Sequence, residues 1–188
     1  MWLICGLGNP EKKYENTRHN VGFQSLDYFA KKHGLEFKLF KDFKSLASFY
    51  HPWAILVKPL TYMNLSGMAI KSWVEKQKIA PENLLLIYDD MDLPLGRFKI
   101  LPKGGSGGHK GVQSVIEALN TSNFPRIKIG ISRPPLGEDP KDYVLSPFKE
   151  EEVEVIKKVI KLVVQAIEDL FQEGLLKTMS KYNSLKVN

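Results

Sequence analysis

The chain has 188 residues, 43% hydrophobic and 26% charged, a balance that fits one globular domain over 1–188 and excludes wholesale disorder or a collagen-like repeat. A domain of this size buries about 70% of its unfolded surface without a covalent staple, and a lone cysteine, Cys5, excludes an internal disulfide and a cysteine-based zinc site. Basic residues outnumber acidic ones by 27 to 21; from Ser146 onward seven of each cancel, so the whole +6 lies in residues 1–145, an excess suited to a polyanionic partner or to a merely soluble basic protein.

The apolar run Leu3–Leu7 reads as a buried strand ending at Gly6-Leu7-Gly8-Asn9-Pro10. Met1–Gly6 lacks a basic leader, and no stretch approaches the roughly 20 apolar residues of a membrane helix, so a reduced cytoplasm is expected. A loop carrying Tyr14 and His19 leads to a helix on Phe23, Leu26, Phe29 and Ala30, with Gly34 near its end. Short strands are predicted at Phe37–Phe40, Ala47–Tyr50 and Ala54–Val57. Asn64 is placed to cap a helix running to about Gln77.

Leu84–Tyr88 is the clearest buried strand, and it stops at Asp89-Asp90-Met91-Asp92. Arg97–Leu101 follows as a further strand. The tract Lys103–Gly111 reads as a mobile glycine loop feeding a helix on Val112, Val115, Ile116 and Leu119. Ile127–Ile131 is another strand, followed by the loop Pro134–Pro140. From Lys149 to Phe171 the apolar positions Val153, Ile156, Ile160, Val163, Ile167 and Leu170 mark one face of a long amphipathic helix closed by Gly174. Strands alternating with helices predict an α/β fold: a single domain with a twisted, mixed, mostly parallel sheet flanked by helices. In such sheets ligands collect beyond the carboxyl ends of the strands, where Asn9, Asp89 and Lys128–Arg133 all fall.

Among residues that could carry chemistry, Gly6-x-Gly8 lacks the third glycine and the helix start of a dinucleotide site, and the 104–111 loop is not a Walker sequence. His33 and His51 read as surface residues. His109, in the glycine loop, suits a structural role as well as a contact. His19 stands among Asn16, Thr17, Arg18 and Asn20. Asp89, Asp90 and Asp92 fit a solvated turn, a Mg²⁺ site, or a carboxylate accepting the Nδ1–H of His19. In the last case the pair, with no Ser or Cys nucleophile beside it, would activate water as a general base. Tyr62-Met63-Asn64 combines groups suited to stacking and hydrogen-bonding a chain end.

Taken together, Gly6–Pro10 with Tyr14 and Thr17–Gly22, Lys58–Gly67, Tyr88–Gly96 and Gly104–Gly111 resemble, in order and spacing, four motifs of the bacterial peptidyl-tRNA hydrolases. The resemblance implies a single α/β domain, monomeric and without cofactor or metal, that cuts the ester between a stalled peptide and the 3′ ribose of tRNA. It maps the base onto His19, its supporting aspartate onto Asp89, and the residue separating blocked from free aminoacyl-tRNA onto Asn9. Substrate contacts map onto Tyr14, Tyr62 and Asn64, and Met63 between the last two is expected to bind substrate as well. The glycine loop departs from the usual His-Asn-Gly in having His109-Lys110-Gly111. Lys110 is expected either to reach a phosphate of the CCA end or to point into solvent, and Lys103, Lys128 and Arg133 are expected on backbone phosphates of the acceptor stem. Two other readings are set against this one: a non-catalytic RNA-binding domain using Tyr14, Tyr62 and the basic loops, and a metal-dependent hydrolase built on Asp89, Asp90 and Asp92.

Overall fold

A computed structural model describes residues 1–188. Seven strands form one mixed sheet: β1 (Trp2–Gly6), β2 (Lys38–Phe40), β3 (Ser45–Tyr50), β4 (Ala54–Pro59), β5 (Leu84–Asp90), β6 (Phe98–Leu101) and β7 (Arg126–Gly130). Their order is β2-β3-β4-β1-β5-β7-β6. The central strands β4, β1, β5 and β7 run parallel, while β2, β3 and β6 add antiparallel edges. The helices are α1 (Val21–Lys32), α2 (Ser66–Gln77), α3 (Lys110–Leu119), α4 (Pro140–Val144), α5 (Glu150–Glu173) and α6 (Leu175–Tyr182). No helix is long and apolar enough to cross a membrane.

The period-2 alternation of strand side chains divides the core between the two faces of the sheet. Ile4, Leu85 and Ile87 pack with α1 and α5, whereas Leu3, Cys5, Leu84, Leu86 and Tyr88 pack with α2 and α3. The stepping pattern of the long C-terminal helix is realised in α5, with Ile156, Ile160, Val163, Ile167 and Leu170 all buried. β1 lies centrally, with β4 on one side and β5 on the other. The chain therefore reverses direction across the sheet at this strand, and the loops leaving β1, β4 and β5 open a crevice at their carboxyl ends.

The glycines of the first turn serve packing. A Cβ on Gly6 would collide with the Gly22 backbone, and one on Gly8 would meet the Phe23 ring at 2.8 Å. The turn opens into a short 3-10 segment, Lys12–Tyr14, and α1 does not begin until Val21.

Several boundaries differ from expectation. Asn64 caps nothing: it sits in a 3-10 turn, Met63–Leu65, and the residue before α2 is Leu65. The glycine tract is tied at its base by the fully buried Arg126, whose Nη1 donates to the Gly105 carbonyl (2.9 Å) and Nη2 to that of Ser122 (3.1 Å). Lys110 belongs to the first turn of α3 and not to the loop. Helices α4 and α6 were not expected. α4 has only five residues, too few to show a period, and Gly174 (φ +84) ends α5 but immediately restarts the chain as α6. Beyond α6, the Asn183 side chain pairs with edge strand β6, accepting from Ile100 N–H (2.8 Å) and donating to its carbonyl (2.9 Å). That side chain occupies backbone groups which would otherwise invite strand pairing.

Gly22 lets α1 lie against the ends of β1 and β5. An added Cβ would fall on the Ile87 carbonyl and 2.7 Å from the Leu7 nitrogen. Gly22→Ala is therefore expected to cost about 1–3 kcal/mol through backbone displacement. A urea unfolding curve superimposing on wild type would contradict that packing argument.

Candidate active site

The segment Thr17–Asn20 is fastened residue by residue. Thr17 bridges to Pro147. Arg18, 2% exposed, places its guanidinium 4.1 Å from the Tyr143 ring centroid, donates from Nη1 to the Pro147 carbonyl (2.8 Å) and pairs through Nη2 with Glu152 (2.7 Å). Asn20 closes a two-bond ring with Asn9, accepting from its N–H (2.8 Å) and donating to its carbonyl (2.9 Å). Between these anchors, His19 is turned towards the end of β5.

Asp89 continues the face of Leu85 and Ile87 and is 3% exposed. His19 Nδ1 lies 2.9 Å from each of its carboxylate oxygens. From the opposite face of the sheet, His109 brings Nε2 to 2.9 Å from Oδ1. The other ring nitrogen of His109 settles its tautomer: Nδ1 accepts from the backbone N–H groups of Gly111 (3.1 Å) and Val112 (3.3 Å), capping α3. Nδ1 is therefore bare and Nε2 carries the proton it gives to Asp89. His19 is set the other way round. Its Nδ1–H faces the carboxylate, and Nε2, with no partner in the protein, is left with a free lone pair. Burial pushes the Asp89 carboxyl up, but electrostatic attraction to the N–H sides of His19 and His109, and the hydrogen bonds they make, outweigh it and hold the group well below the usual carboxylate range.

These three donors lie within 4.8 Å of one another, close enough to invite a cation. The donor set does not fit one. A metal on His109 Nε2 would need the proton on Nδ1, where two backbone N–H groups already point. Nor do the aspartates of the β5 turn converge. Asp90 faces Lys128 at 3.4 Å and accepts from Asp92 N–H, whereas Asp92 is held by Arg133.

Asn9, 8% exposed, has its orientation fixed from the loop after β4: Met63 N–H donates to its Oδ1 at 2.7 Å. That bond turns Oδ1 towards the Met63 backbone, while the N–H donors of Nδ2 have no partner in the protein. Met63 contributes this backbone contact while its side chain is buried beneath Gly111, where an added Cβ would stand 2.5 Å from its sulfur. The Met63 thioether packs in the core, and what Met63 contributes at the site is its backbone N–H to Asn9. Asn64 is exposed and shares a polar cavity of about 440 Å³ with Ser106, Lys110 and Ser114. Tyr62 is exposed and donates its hydroxyl to Glu11 (3.0 Å), a hydrogen bond that raises its phenol above the ordinary value. Tyr14 is half-buried under the Lys13 ammonium, 5.0 Å from its ring centroid.

The structure thus gathers His19 and Asp89, joins Asn9 to Met63, and sets Asn64 beside Lys110. Lys103 is exposed on the stretch leading into the glycine loop. Lys128 and Arg133 are engaged by Asp90 and Asp92, so a phosphate would have to compete with carboxylates for them. Sequence reasoning left the role of His109 open and passed over Asn20 and Arg18. The available signal for His109 was its place immediately before an apolar-periodic helix, the position of an N-cap.

The depressed Asp89 carboxyl sets a pH dependence. Its folded value lies below the unfolded value of about 3.9, so the carboxylate stabilises the fold above that value and the contribution is lost as pH falls through the folded one. Asp89→Asn should therefore destabilise by a margin that is full above about pH 5 and shrinks on acidification. Denaturation of both proteins across pH checks this; a constant margin down to low pH would contradict it.

Comparison with known proteins finds matches along nearly the whole chain. The family model described as Peptidyl-tRNA hydrolase matches residues 3–188. The peptidyl-tRNA hydrolase of Thermodesulfovibrio yellowstonii is 47% identical, covering 98% of this chain and 100% of that protein. That of Carboxydothermus hydrogenoformans is 45% identical, covering 97% and 98%. The crystal structure of peptidyl-tRNA hydrolase from Acinetobacter baumannii superimposes with a TM-score of 0.93 at 31% identity, covering 99% of this chain and 96% of that one. The chain belongs to the peptidyl-tRNA hydrolase family.

Proposed function

We propose that the protein hydrolyses the ester joining a peptide, or an N-blocked aminoacyl group, to the 3′ ribose of tRNA, with His19 as the general base. The observation carrying this reading is the bare Nε2 of His19, fixed by the Asp89 carboxylate at 2.9 Å from its Nδ1. Nε2 takes a proton from water as the oxygen attacks the ester carbonyl. The leaving ribose oxygen then takes that proton as the C–O bond breaks, giving a free 3′-hydroxyl and a peptide carboxylic acid that releases its own proton to solvent as the carboxylate. Asp89 keeps the imidazole in the productive tautomer and balances its charge while the proton is held. His109 restrains the same carboxylate from behind. No side-chain nucleophile and no metal enters the scheme.

Asn9 supplies the discrimination. With its oxygen turned to the Met63 N–H, it offers its N–H donors to the substrate. A blocked or peptide-linked nitrogen brings an amide carbonyl that accepts such a donor. A free α-ammonium brings donors alone and finds no acceptor to replace its lost water. Asn64 offers a second amide from the exposed lip, where the developing oxyanion gains from positioned donors. Tyr14 and Tyr62 provide rings for the chain end, and Lys103, Lys110, Lys128 and Arg133 a basic surface for the acceptor stem. The excess of positive charge in residues 1–145 supports an RNA substrate in the cytoplasm, where a monomer would release tRNA from prematurely dissociated peptidyl-tRNA.

His19→Ala is expected to lower kcat by about 10²–10⁴-fold with KM little changed; wild-type turnover would remove the base from His19, and a bound but uncut ester in the wild type would favour the RNA-binding reading. Asn9→Asp places an acceptor where the amide stood. Measured on N-acetylaminoacyl-tRNA and the unblocked compound, the preference for the blocked substrate should fall by about tenfold or more. An unchanged ratio would take the discrimination away from Asn9.

A further inference from the structure

Two residues close to Asn9 carry backbone strain. Glu11 (φ 83, ψ 139) and Tyr62 (φ 63, ψ 158) combine a positive φ with an extended ψ, a region that glycine enters cheaply and side-chain-bearing residues rarely do. Their positions correspond. Each immediately precedes a single 3-10 turn, Lys12–Tyr14 in one loop and Met63–Leu65 in the other. Each carbonyl also accepts the bond that closes its turn, from Tyr14 N–H (3.1 Å) and Leu65 N–H (3.1 Å). A side-chain hydrogen bond joins the two strained residues to each other: the Tyr62 hydroxyl donates to the Glu11 carboxylate at 3.0 Å. Tyr62 is 46% exposed, so burial does little to hold it and this bond is its tether.

What the strain secures is one peptide unit. The Met63 N–H belongs to the plane between Tyr62 and Met63, whose direction is set by Tyr62 ψ and Met63 φ. With Tyr62 at φ 63 that N–H meets Asn9 Oδ1 at 2.7 Å. Relaxing Tyr62 to a negative φ would swing the 63–65 turn relative to the end of β4 and carry the N–H off Asn9. The backbone of Asn9 is held separately, by Asn20. Its side chain has the Met63 N–H as its partner, so the direction of the amide depends on the strained turn. Released, the amide can rotate by half a turn and bring Oδ1 to where Nδ2 stood.

We propose that Glu11 is a positioning residue for substrate discrimination: through the Tyr62 hydroxyl it latches the Tyr62–Met63 peptide, keeping Asn9 with its N–H donors towards the substrate. The latch depends on the role proposed above for Asn9 and deepens it. An overturned amide is the form that can accept an α-ammonium, so the reaction of unblocked aminoacyl-tRNA scales with the population of that form, however small. The blocked substrate uses the majority form and responds little. Loss of the latch therefore raises the unwanted reaction, a change of sign that damage to the fold cannot produce. A direct electrostatic role for Glu11 gives the opposite sign: a carboxylate two residues from Asn9 would attract the ammonium, and removing it would slow the unblocked compound.

The test measures kcat/KM for an N-acetylaminoacyl-tRNA and for the same aminoacyl-tRNA unblocked, after subtraction of spontaneous hydrolysis. Glu11→Ala should raise the unblocked value by about two- to fivefold, the worth of one exposed hydrogen bond to a carboxylate, with the acetylated value little changed. Glu11→Gln keeps an acceptor for the hydroxyl and should give a smaller rise. Tyr62→Phe keeps the ring and loses the donor; it should lower the blocked-to-unblocked ratio by the same factor as Glu11→Ala, and the double variant should lower it no further, because both changes remove one bond. An unmoved ratio, a slower unblocked reaction, equal effects of Gln and Ala at position 11, or two substitutions whose effects multiply would each overturn the latch while leaving ester hydrolysis and Asn9 in place. A ratio that Asn9→Asp itself fails to move would overturn the Asn9 reading and the latch with it.

Discussion

A single buried carboxylate organises the site. Asp89 lies at the end of the central strand β5, where water cannot solvate it, and an ion in that position is tolerable only with close partners. It has two, arriving from opposite faces of the sheet: His19 from the segment before α1 and His109 from the start of α3. The arrangement is sandwiched by geometry that has nothing to do with chemistry in itself. Gly22 allows α1 to approach the strand ends, and Arg126 ties down the base of the glycine loop that presents His109. The two imidazoles, in return, are set in opposite tautomers. One is turned inward as a fixed support, with its Nδ1 spent on a helix cap. The other is turned outward with a bare nitrogen.

Primary amides do the complementary work. Asn20 pairs with both backbone groups of Asn9, and Met63 N–H then fixes the side chain of Asn9. The result is an amide whose oxygen is turned to the Met63 backbone before any substrate arrives. An amide held in this orientation would favour an acylated nitrogen over an ammonium, which is the discrimination proposed for Asn9. The same device recurs far from the site, where Asn183 completes edge strand β6. In both places one side-chain amide stands in for a stretch of backbone.

Elements with a long period or an unbroken apolar run were legible in the sequence. β5 and α5 were placed to within a few residues because burial on one or both faces writes itself into the pattern. α4 and α6 were not legible, being too short to show a period and lying next to Pro140 and Gly174, which read as breaks. His19 and Asp89 stood out by residue type and position, but their pairing was one of several readings until the family resemblance singled it out. His109 was left undecided because its two duties, capping α3 and holding Asp89, depend on a contact across about twenty residues of chain that no local pattern records. The burial of the Met63 side chain was not legible for the opposite reason. Its sequence neighbours, Tyr62 and Asn64, are both exposed, while its own side chain turns under Gly111 and becomes core.

The account stands on the two tautomers, and these can be read directly from the ring nitrogens of His19 and His109 by ¹⁵N NMR of the histidine-labelled protein at mildly alkaline pH, with the Asp89→Asn variant assigning the coupled pair. The structure predicts a protonated Nδ1 and bare Nε2 in His19, and the reverse in His109. A His19 ring carrying its proton on Nε2 would leave no lone pair for water and would contradict the central claim.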